Sequence, residues 1–452
     1  MSSPVRQAAL QPALSSRDTG VEAAFSKVTW RLIPFLGALW VLAWIDRVNI
    51  GFAKLQMLSD LKFSEYVYGL GAGIFFIGYF FFEVPSNLYL QKIGARKTIA
   101  RITICWGIVC VAQTFVQTPM QFYILRFLLG AFEAGFYPGI IFFLTCWYPT
   151  ERRAKAFGMF MSASAIAGVL GGPIAGAIMS NMSGYSGLAG WQWLFVLEGI
   201  PSVIAGLITL AYLTDSPKVA TWLTDEDKRL IARELAQDHD DLGPRDHSFA
   251  SVFSNARVWL LIAIYFCLIA ANSTLTFWMP SVIRDVGFTT PTAVGWIAGL
   301  IYLCGAIGMI WNGSHSDRHK EMQMHFSLAA LLGAVGLLAC GMLLRNDNPM
   351  LALISIGAAT VGTMSAIPVF WQFPNLFLSG SAAAAGVALI NSVANLAGFG
   401  APFAIGWIKD TSGQVWPGLV AVAVVEAIAA VLVLSSNQLR PNTQAQGGGR
   451  AE

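Results

Sequence analysis

Twelve stretches of apolar residues, separated by short polar breaks, follow one another along the chain. A helix needs about 20 mainly apolar residues to cross a lipid bilayer. In the first half the stretches cover residues 31–53, 66–90, 98–116, 119–145, 155–180 and 192–213. In the second half they cover residues 256–280, 291–312, 326–344, 350–372, 382–408 and 415–435. The pattern predicts an all-α membrane protein with twelve transmembrane helices.

A polar stretch over residues 214–255 divides these helices into six and six. It contains Thr224-Asp225-Glu226-Asp227, which is typical of a capped helix start, so we expect a charged helix there without lipid contact. The predicted organisation is a tail at 1–29, a six-helix bundle at 30–213, a linker at 214–255, a second bundle at 256–436 and a tail at 437–452.

Two short segments recur in both halves. Gly171-Gly172-Pro173-Ile174-Ala175-Gly176 in the fifth helix has a counterpart in Gly400-Ala401-Pro402-Phe403-Ala404-Ile405-Gly406 in the eleventh. The segment from Asn87 to Lys97 similarly matches the segment from Gly313 to Lys320. Duplicated six-helix halves are typical of transporters that expose a central site to each side in turn. Small residues also serve close helix packing, which is the alternative interpretation.

Composition and charge narrow the class further. The chain is 56% hydrophobic and 12% charged, whereas soluble domains are about 25% charged. The net charge of +3 and the lack of a basic cluster exclude a nucleic-acid partner. Most of the 28 Lys and Arg residues fall in segments that place both termini in the cytoplasm. We therefore expect a monomeric, multi-pass protein of the cell inner membrane, with lipid and a small solute as partners.

Two further features bear on targeting and cofactors. The first residues lack the apolar core of a cleavable signal, so we expect the first transmembrane helix to direct insertion. The six cysteines lie in apolar stretches and form no Cys-x-x-Cys, so we expect packing residues, neither disulfides nor a metal site. No GxxxxGK[ST] loop is present, so we expect no ATP use and no cofactor.

Seven ionisable residues fall inside apolar stretches, where a charge usually faces a partner or an aqueous cavity. They are Asp46, Arg47, Glu83, Arg126, Glu133, Glu198 and Glu426. The histidines lie in loops or at helix ends, so we expect a proton to cross on carboxylates. We interpret Glu83 and Glu198 as structural, and Glu426 has no functional interpretation.

The spacing of four of these residues is informative. Arg126 and Glu133 are seven residues apart, nearly two turns, and so lie on one face of the fourth helix. Asp46 and Arg47 are about 100° apart around their helix and can meet different neighbours. A buried carboxylate holds a proton or a charge according to whether a cation is near. We interpret Asp46 and Glu133 as proton-carrying groups, the alternative being static ion pairs.

Four segments carry a resemblance to a known family. They are Trp44-Ile45-Asp46-Arg47-Val48-Asn49-Ile50, Tyr79 with Glu83-Val84-Pro85-Ser86-Asn87-Leu88, Arg126 to Gly139, and Glu198-Gly199-Ile200-Pro201. Over residues 30–435 the chain resembles the anion:cation symporter family of the major facilitator superfamily. The resemblance implies the major facilitator fold, with two pseudo-symmetric six-helix bundles. It also implies proton-coupled transport of carboxylates such as galactonate, tartrate, phthalate or hydroxyphenylacetate.

The resemblance also implies roles for single residues. Asp46 and Glu133 match the protonatable carboxylates, Arg126 matches a charge partner in the coupling network, and Arg47 matches the substrate-facing arginine. We expect protonation of Asp46 to free Arg47 for the substrate, so that proton and anion binding favour each other. The alternative is that Arg47 is permanently paired with a carboxylate on another helix.

Other residues are expected to line the cavity. By resemblance these are Tyr79, Trp371 and Asn391. Trp44 and Ala165 replace a Tyr and a Gln of a galactonate-carrying member, which removes hydrogen bonding suited to a polyol. Gln372 joins the set because Pro368 and Pro374 flank it and Trp371, as in a broken, cavity-lining helix.

A loop motif of the superfamily occurs twice and predicts a gate. Gly313-Ser314-His315-Ser316-Asp317-Arg318 keeps the acidic–basic pair, whereas the first copy has Gln91 where an Asp is common. We expect Gly94, Arg96, Asp317 and Arg318 to act as the cytoplasmic gate. Lys92, Arg96 and Lys97 are equally explained as topology determinants.

The sequence therefore predicts a secondary transporter that imports a small organic carboxylate together with protons by alternating access. One alternative is an anion exchanger or facilitator without proton coupling, and another is a transport-like solute sensor. An enzyme is not expected, since no nucleophile–His pair or metal-spaced cluster lies at membrane depth. The substrate class stays open among sugar acids, hydroxy dicarboxylates and aromatic acids.

Overall fold

The computed structural model describes residues 4–241, 253–378, 380–436 and 439, with side chains left undescribed at 4–18, 91, 238–241 and 380–385. Part of the predicted linker, residues 242–252, and nearly all of the predicted C-terminal tail lie outside the described residues. A first helix set comprises α1 Pro4–Leu61, α2 Glu65–Ile93, α3 Ala95–Ala112, α4 Pro119–Glu133, α5 Phe136–Thr145, α6 Thr150–Asn181 and α7 Gly190–Tyr212.

A connecting helix, α8 Asp225–Asp241, leads to the second helix set. That set comprises α9 Ala256–Asp285, α10 Pro291–His319, α11 Gln323–Arg345, α12 Pro349–Phe370, α13 Gly380–Ala394, α14 Ala397–Ser412 and α15 Trp416–Ser435. Within the described ranges, twelve spans are long and apolar enough to cross a membrane, with α4–α5 and α13–α14 each counted as one. The prediction of an all-α protein with twelve transmembrane helices is confirmed.

The first helix is much longer than its apolar stretch. The sequence predicts a membrane span from residue 31 after a polar tail, whereas α1 already begins at Pro4. Ala24, Phe25 and Val28 are buried at helical spacing, so the helix continues beyond the membrane as an amphipathic segment. Hydropathy detects only the part of a helix that crosses lipid, so it does not show where α1 begins.

The fourth predicted span is broken where its carboxylate lies. One helix is expected over 119–145, but α4 ends at Glu133 and α5 starts at Phe136. Between them Gly135 has φ +85°, a conformation that glycine adopts without strain. The Ser86 side chain occupies the space that a side chain at Gly135 would need. Glu133 is therefore the last residue of a helix that stops inside the membrane span.

The two helix sets meet closely at one end of the molecule, which we call the tight end and define by the α1–α2, α6–α7 and α9–α10 connections. Here α6 crosses α10, and a side chain at Gly172 would collide with the backbone of Gly295. On the other side α2 crosses α14, and a side chain at Gly69 would collide with the Pro402 carbonyl. Both copies of the recurring Gly/Pro segment thus lie in a contact between the sets.

Polar contacts also join the sets at the tight end. The Asp410 carboxylate of α14 accepts hydrogen bonds from the amides of Glu65 and Tyr66, at 2.9 and 2.8 Å, at the start of α2. Tyr68 donates to the Phe277 carbonyl at 2.6 Å. We call the opposite end, with the α2–α3 and α10–α11 connections, the loose end.

Candidate functional site

An ion pair links α1 to the break in the fourth span. Arg47 Nε donates to Glu133 Oε1 at 3.0 Å, and a second guanidinium nitrogen of Arg47 contacts the same oxygen. Glu133 is 1% exposed and Arg47 is half-buried. The acid that competes for Arg47 is therefore Glu133, and the expectation that Asp46 is this competitor is wrong. The helix break explains the geometry, since it places the carboxylate at a helix end facing α1.

Aromatic rings surround the Arg47 guanidinium. Its central carbon lies 5.2 Å from the Phe75 ring centre, 5.6 Å from that of Tyr79 and 5.9 Å from that of Trp44. Aromatic faces attract a cation while offering no negative charge to replace Glu133. The structure thus brings together four of the predicted site residues: Arg47, Glu133, Trp44 and Tyr79.

Trp44 also borders a cavity between the two helix sets. Val48 and Phe52 of α1, Gly168 of α6 and Tyr302 of α10 line it with Trp44. Residues of both helix sets therefore line the cavity, which lies next to Arg47 and the aromatic rings around it.

Asp46 faces away from Arg47, into the first helix set. Its carboxylate accepts hydrogen bonds from Trp106 Nε1 at 3.0 Å, from the Cys110 thiol at 3.2 Å and from the Ser202 hydroxyl. Asp46 is 1% exposed, and the described part of the chain gives it no ion pair. Cys110 is thus more than a packing residue. The sequence shows no signal for these three donors, because they lie on two other helices, Trp106 and Cys110 on α3 and Ser202 on α7.

Arg126 lies deeper in the same helix set and forms no ion pair among the described residues. It is 0% exposed, its Nε donates to the Gly71 carbonyl at 3.3 Å, and its guanidinium lies 5.3 Å from the Phe75 ring. Neither of its Nη groups has a hydrogen-bond partner among the described residues. Arg126 and Glu133 lie on one helix, yet Glu133 bonds to Arg47.

The predicted residues of the second set lie apart from Arg47. Trp371 packs against Tyr265, with ring centres 4.9 Å apart, a contact that the sequence does not reveal. Gln372 donates to Asp317 at 2.8 Å near the loose end. Asn391 hydrogen-bonds to Glu83 of α2.

Glu83 also accepts a hydrogen bond from Ser392 at 2.9 Å. Glu83 therefore links α2 of the first set to α13 of the second set by hydrogen bonds. The interpretation of Glu83 as a structural residue does not predict this contact.

The predicted gate residues lie at the loose end in two separate groups. Gly94, with φ +95°, lies between α2 and α3, and the Arg96 amide donates to the Asp215 carboxylate at 2.8 Å. Asp215 is an acidic partner that the sequence reading missed, because it follows α7 rather than the motif. Arg318 is exposed beside Asp317. The side chain of Gln91 lies outside the described residues.

Comparisons with known proteins agree with this architecture. The family description "Major Facilitator Superfamily" matches residues 36–402. A protein of Agrobacterium vitis named "Putative tartrate transporter" is 46% identical over 90% of this chain and 90% of that protein. The Pseudomonas putida protein "Putative metabolite transport protein NicT" is 45% identical over 88% of this chain and 91% of its own length.

A solved structure shares the fold. It is a bacterial homologue of the human lysosomal transporter Spinster in an inward-facing, occupied conformation, with a TM-score of 0.73. It is 16% identical, and the alignment covers 89% of this chain and 95% of that one. This likeness supports the helix arrangement described above.

Proposed function

Because the chain belongs to the major facilitator superfamily and is a multi-pass membrane transporter rather than an enzyme, we propose that it carries a small organic carboxylate together with protons. Two relatives named as tartrate transporters, 46% and 44% identical, support an organic anion as the solute. The observation that carries the proposal is the buried ion pair between Arg47 and Glu133.

This pair provides a mechanism for coupling. A substrate carboxylate and Glu133 compete for the Arg47 guanidinium, whose planar fork suits a carboxylate. A proton on Glu133 removes its charge and weakens its hold on Arg47, so that the anion can replace it. Proton and anion then bind together by linkage, and the two leave together when the opposite side opens.

Asp46 is the second proposed proton site. Its three donors each come from a neutral side chain, and two of them, the Ser202 hydroxyl and the Cys110 thiol, can also accept a hydrogen bond. The pocket can therefore hold the carboxyl group with or without a proton. The neighbouring Arg47 responds to that change through charge rather than through a direct bond.

Glu133→Gln tests the proposal in proteoliposomes, with tartrate as the first probe among mono- and dicarboxylates. The amide mimics the protonated acid, so we expect accumulation driven by an acid gradient to be lost while counterflow exchange persists. Glu426→Gln is the matched control. Glu426 is buried like Glu133, but it lies in the second set and accepts a hydrogen bond from Thr363 that Gln can keep.

Each outcome of that experiment has a definite meaning. Unchanged acid-driven accumulation in Glu133→Gln would remove Glu133 from the coupling mechanism. A wild-type protein that exchanges carboxylates but does not respond to an acid gradient would be the exchanger. Binding without any flux would identify the solute sensor.

A further inference from the structure

Lys54 is a charged residue buried between the two helix sets at the tight end. Its side chain is 0% exposed, and its Nζ lies 2.7 Å from the Glu65 carboxylate. The same Nζ lies 3.5 Å from the centre of the Trp278 ring, which belongs to the second set. Removing a lysine from water is unfavourable even when it is paired. An apolar side chain would seal this contact better, so the charge needs another explanation.

Glu65 does not require Lys54 as its partner. Lys409 of α14 lies 2.8 Å from the other carboxylate oxygen of Glu65. Lys409 also lies 3.6 Å from Asp285. The carboxylate would keep a cation in this closed arrangement if Lys54 were neutral.

Lys54 begins a column of three cations along the aromatic face of α2. Its Nζ lies 4.4 Å from the Tyr68 ring centre. Seven residues further along α2, the Phe75 ring lies 5.3 Å from the Arg126 guanidinium and 5.2 Å from that of Arg47. Arg47 and Lys54 are themselves seven residues apart on α1 and so share one face of that helix.

Arg126, in the middle of the column, is fully buried and has two Nη groups without a hydrogen-bond partner among the described residues. Unpaired guanidinium donors in a low-dielectric interior attract an anion strongly. The column therefore provides a continuous series of positive charges from the tight end to Arg47.

We propose that Lys54 is the first anion-binding residue on the path from the tight end, capturing a substrate carboxylate and passing it to Arg126 and Arg47. This inference rests on the proposed function, because Lys54 becomes accessible only when the helix sets separate at this end. Separation moves Trp278 and Lys409 away with the second set. Lys54 is left with Glu65 alone on a hydrated wall, where such a pair is weak enough for an incoming anion to compete.

The experiment measures how fast tartrate associates with purified protein whose tight end is held apart. We expect Gly295→Phe to hold that state, because any side chain there collides with the Gly172 backbone. Stopped-flow tryptophan fluorescence then gives the association rate constant. We expect Lys54→Met in this background to lower it about tenfold or more and to reduce its dependence on salt, as loss of a steering charge does. Lys54→Arg should retain the parent rate.

Two lysines serve as matched controls. Lys62 is an exposed cation of the same end that lies off the column, and Lys409 moves away with the second set. Lys62→Met and Lys409→Met should each change the rate less than Lys54→Met does. If Gly295→Phe does not fold, Gly176→Phe opens the same contact from α6, since a side chain there meets the Pro291 carbonyl.

The outcomes separate this inference from the function on which it rests. An unchanged association rate in Lys54→Met, in a protein that binds tartrate, overturns the role of Lys54 alone. An equal decrease of the association rate constant in Lys62→Met or Lys409→Met also overturns it, because the rate then depends on the net positive charge of this end and not on Lys54. If neither the parent nor the wild-type protein binds any carboxylate of the panel, the proposed function fails and the inference fails with it.

Discussion

At the scale of single residues, Asp46 and Arg47 occupy neighbouring positions with different surroundings. Asp46 is enclosed by the Trp106, Cys110 and Ser202 donors, whereas Arg47 reaches across to Glu133. The 100° between consecutive helical residues allows this divergence. One group can therefore change its protonation while the other keeps its partner.

Arg47→Lys is expected to weaken tartrate binding sharply although the charge is kept. Lysine lacks the planar fork with which Arg47 can bind first the Glu133 carboxylate and then that of the substrate. Disruption of a buried charge pair typically makes the binding free energy less favourable by about 2–5 kcal/mol. Isothermal titration calorimetry of the purified variant measures the change. Arg101→Lys is the control, because Arg101 contacts Tyr89 and Ser86 rather than the residues around Arg47. Wild-type affinity in Arg47→Lys would exclude Arg47 as the anion site.

The sequence alone shows which charged residues are candidates for the site. It does not show which of them form ion pairs with each other. Charges in apolar stretches are conspicuous, so Asp46, Arg47, Arg126 and Glu133 can all be found from hydropathy. The pairing of Arg47 with Glu133 depends on how α1 packs against α4 and on the break after Glu133. Neither follows from local spacing, which is why Asp46 is wrongly expected to be the competitor.

At the scale of helices, the connecting helix α8 is attached to α1 by one well-defined carboxylate. Asp227 accepts from Lys27 Nζ at 2.9 and 3.0 Å and from the Thr224 hydroxyl at 2.8 Å. The Thr224 pattern in the sequence predicts this helix start, and α8 begins at Asp225 as expected. The ion pair with Lys27, which lies two hundred residues earlier in the chain, cannot be predicted from local sequence patterns.

The attachment of α8 is expected to depend on pH. Burial acts to raise the pKa of Asp227, but its hydrogen bonds with Lys27 and Thr224 outweigh this and hold the pKa below its usual value. The stabilisation is therefore fully present above the ordinary carboxyl pKa of about 3.9 and is lost as pH falls through the lower folded value. Hydrogen exchange of residues 225–237, corrected for intrinsic rates, should show less protection near pH 3 than near pH 6.

Asp227→Asn should reproduce the low-pH behaviour at neutral pH, because the amide keeps a cap but loses the charge that pairs with Lys27. Asp225→Asn is the control, since the Asp225 side chain is 86% exposed and its ion pair with Lys228 is long, at 3.7 Å. Equal protection of α8 at both pH values would contradict the assigned role of Asp227.

The recurring Gly/Pro segments show what a sequence repeat can and cannot predict about helices. Their spacing predicts a duplicated six-helix plan, and both copies do lie at contacts between the sets. From the sequence alone, close helix packing and a transport mechanism explain these segments equally well, because their contact partners Gly295 and Gly69 lie on helices distant in the chain. The break after Glu133 is similarly hidden, since residues 119–145 are apolar enough to read as one span.

At the scale of the whole molecule, the tight end is closed by contacts that cross between the two sets. If the predicted orientation holds, the tight end faces outward and the loose end faces the cytoplasm. That assignment of sides stays a prediction, as do the domain boundaries and the proposed gate at the loose end.

Asp410→Ala is expected to open the tight end more often. The Asp410 carboxylate caps the α2 amides from the opposite set. The side chain of Ser64, the N-cap residue just before α2, accepts from the Val67 amide, so the helix start survives the change. Loss of a cap of about 1 kcal/mol corresponds to a roughly fivefold shift in population. Electron–electron double resonance between spin labels at residues 62 and 412 should show longer distances.

Ser64→Ala is the matched control for that measurement, because it weakens the same helix start without touching the contact between the sets. It should leave the label distances as in the parent protein. An unchanged distance distribution in Asp410→Ala would show that the cap contributes nothing to closure.

The glycine contacts between α6 and α10 have a consequence for how fast the protein switches sides. Where Gly172 and Gly176 meet Gly295 and Pro291, backbone lies against backbone, and beside these positions the hydroxyls of Thr292 and Ser180 hydrogen-bond at 2.8 Å. At these four positions, rolling one helix over the other therefore needs little repacking of side chains. The activation barrier is then concentrated in the polar contacts between the sets, around Glu65, Asp410 and Thr292, and the glycine contacts act as the pivot of the motion.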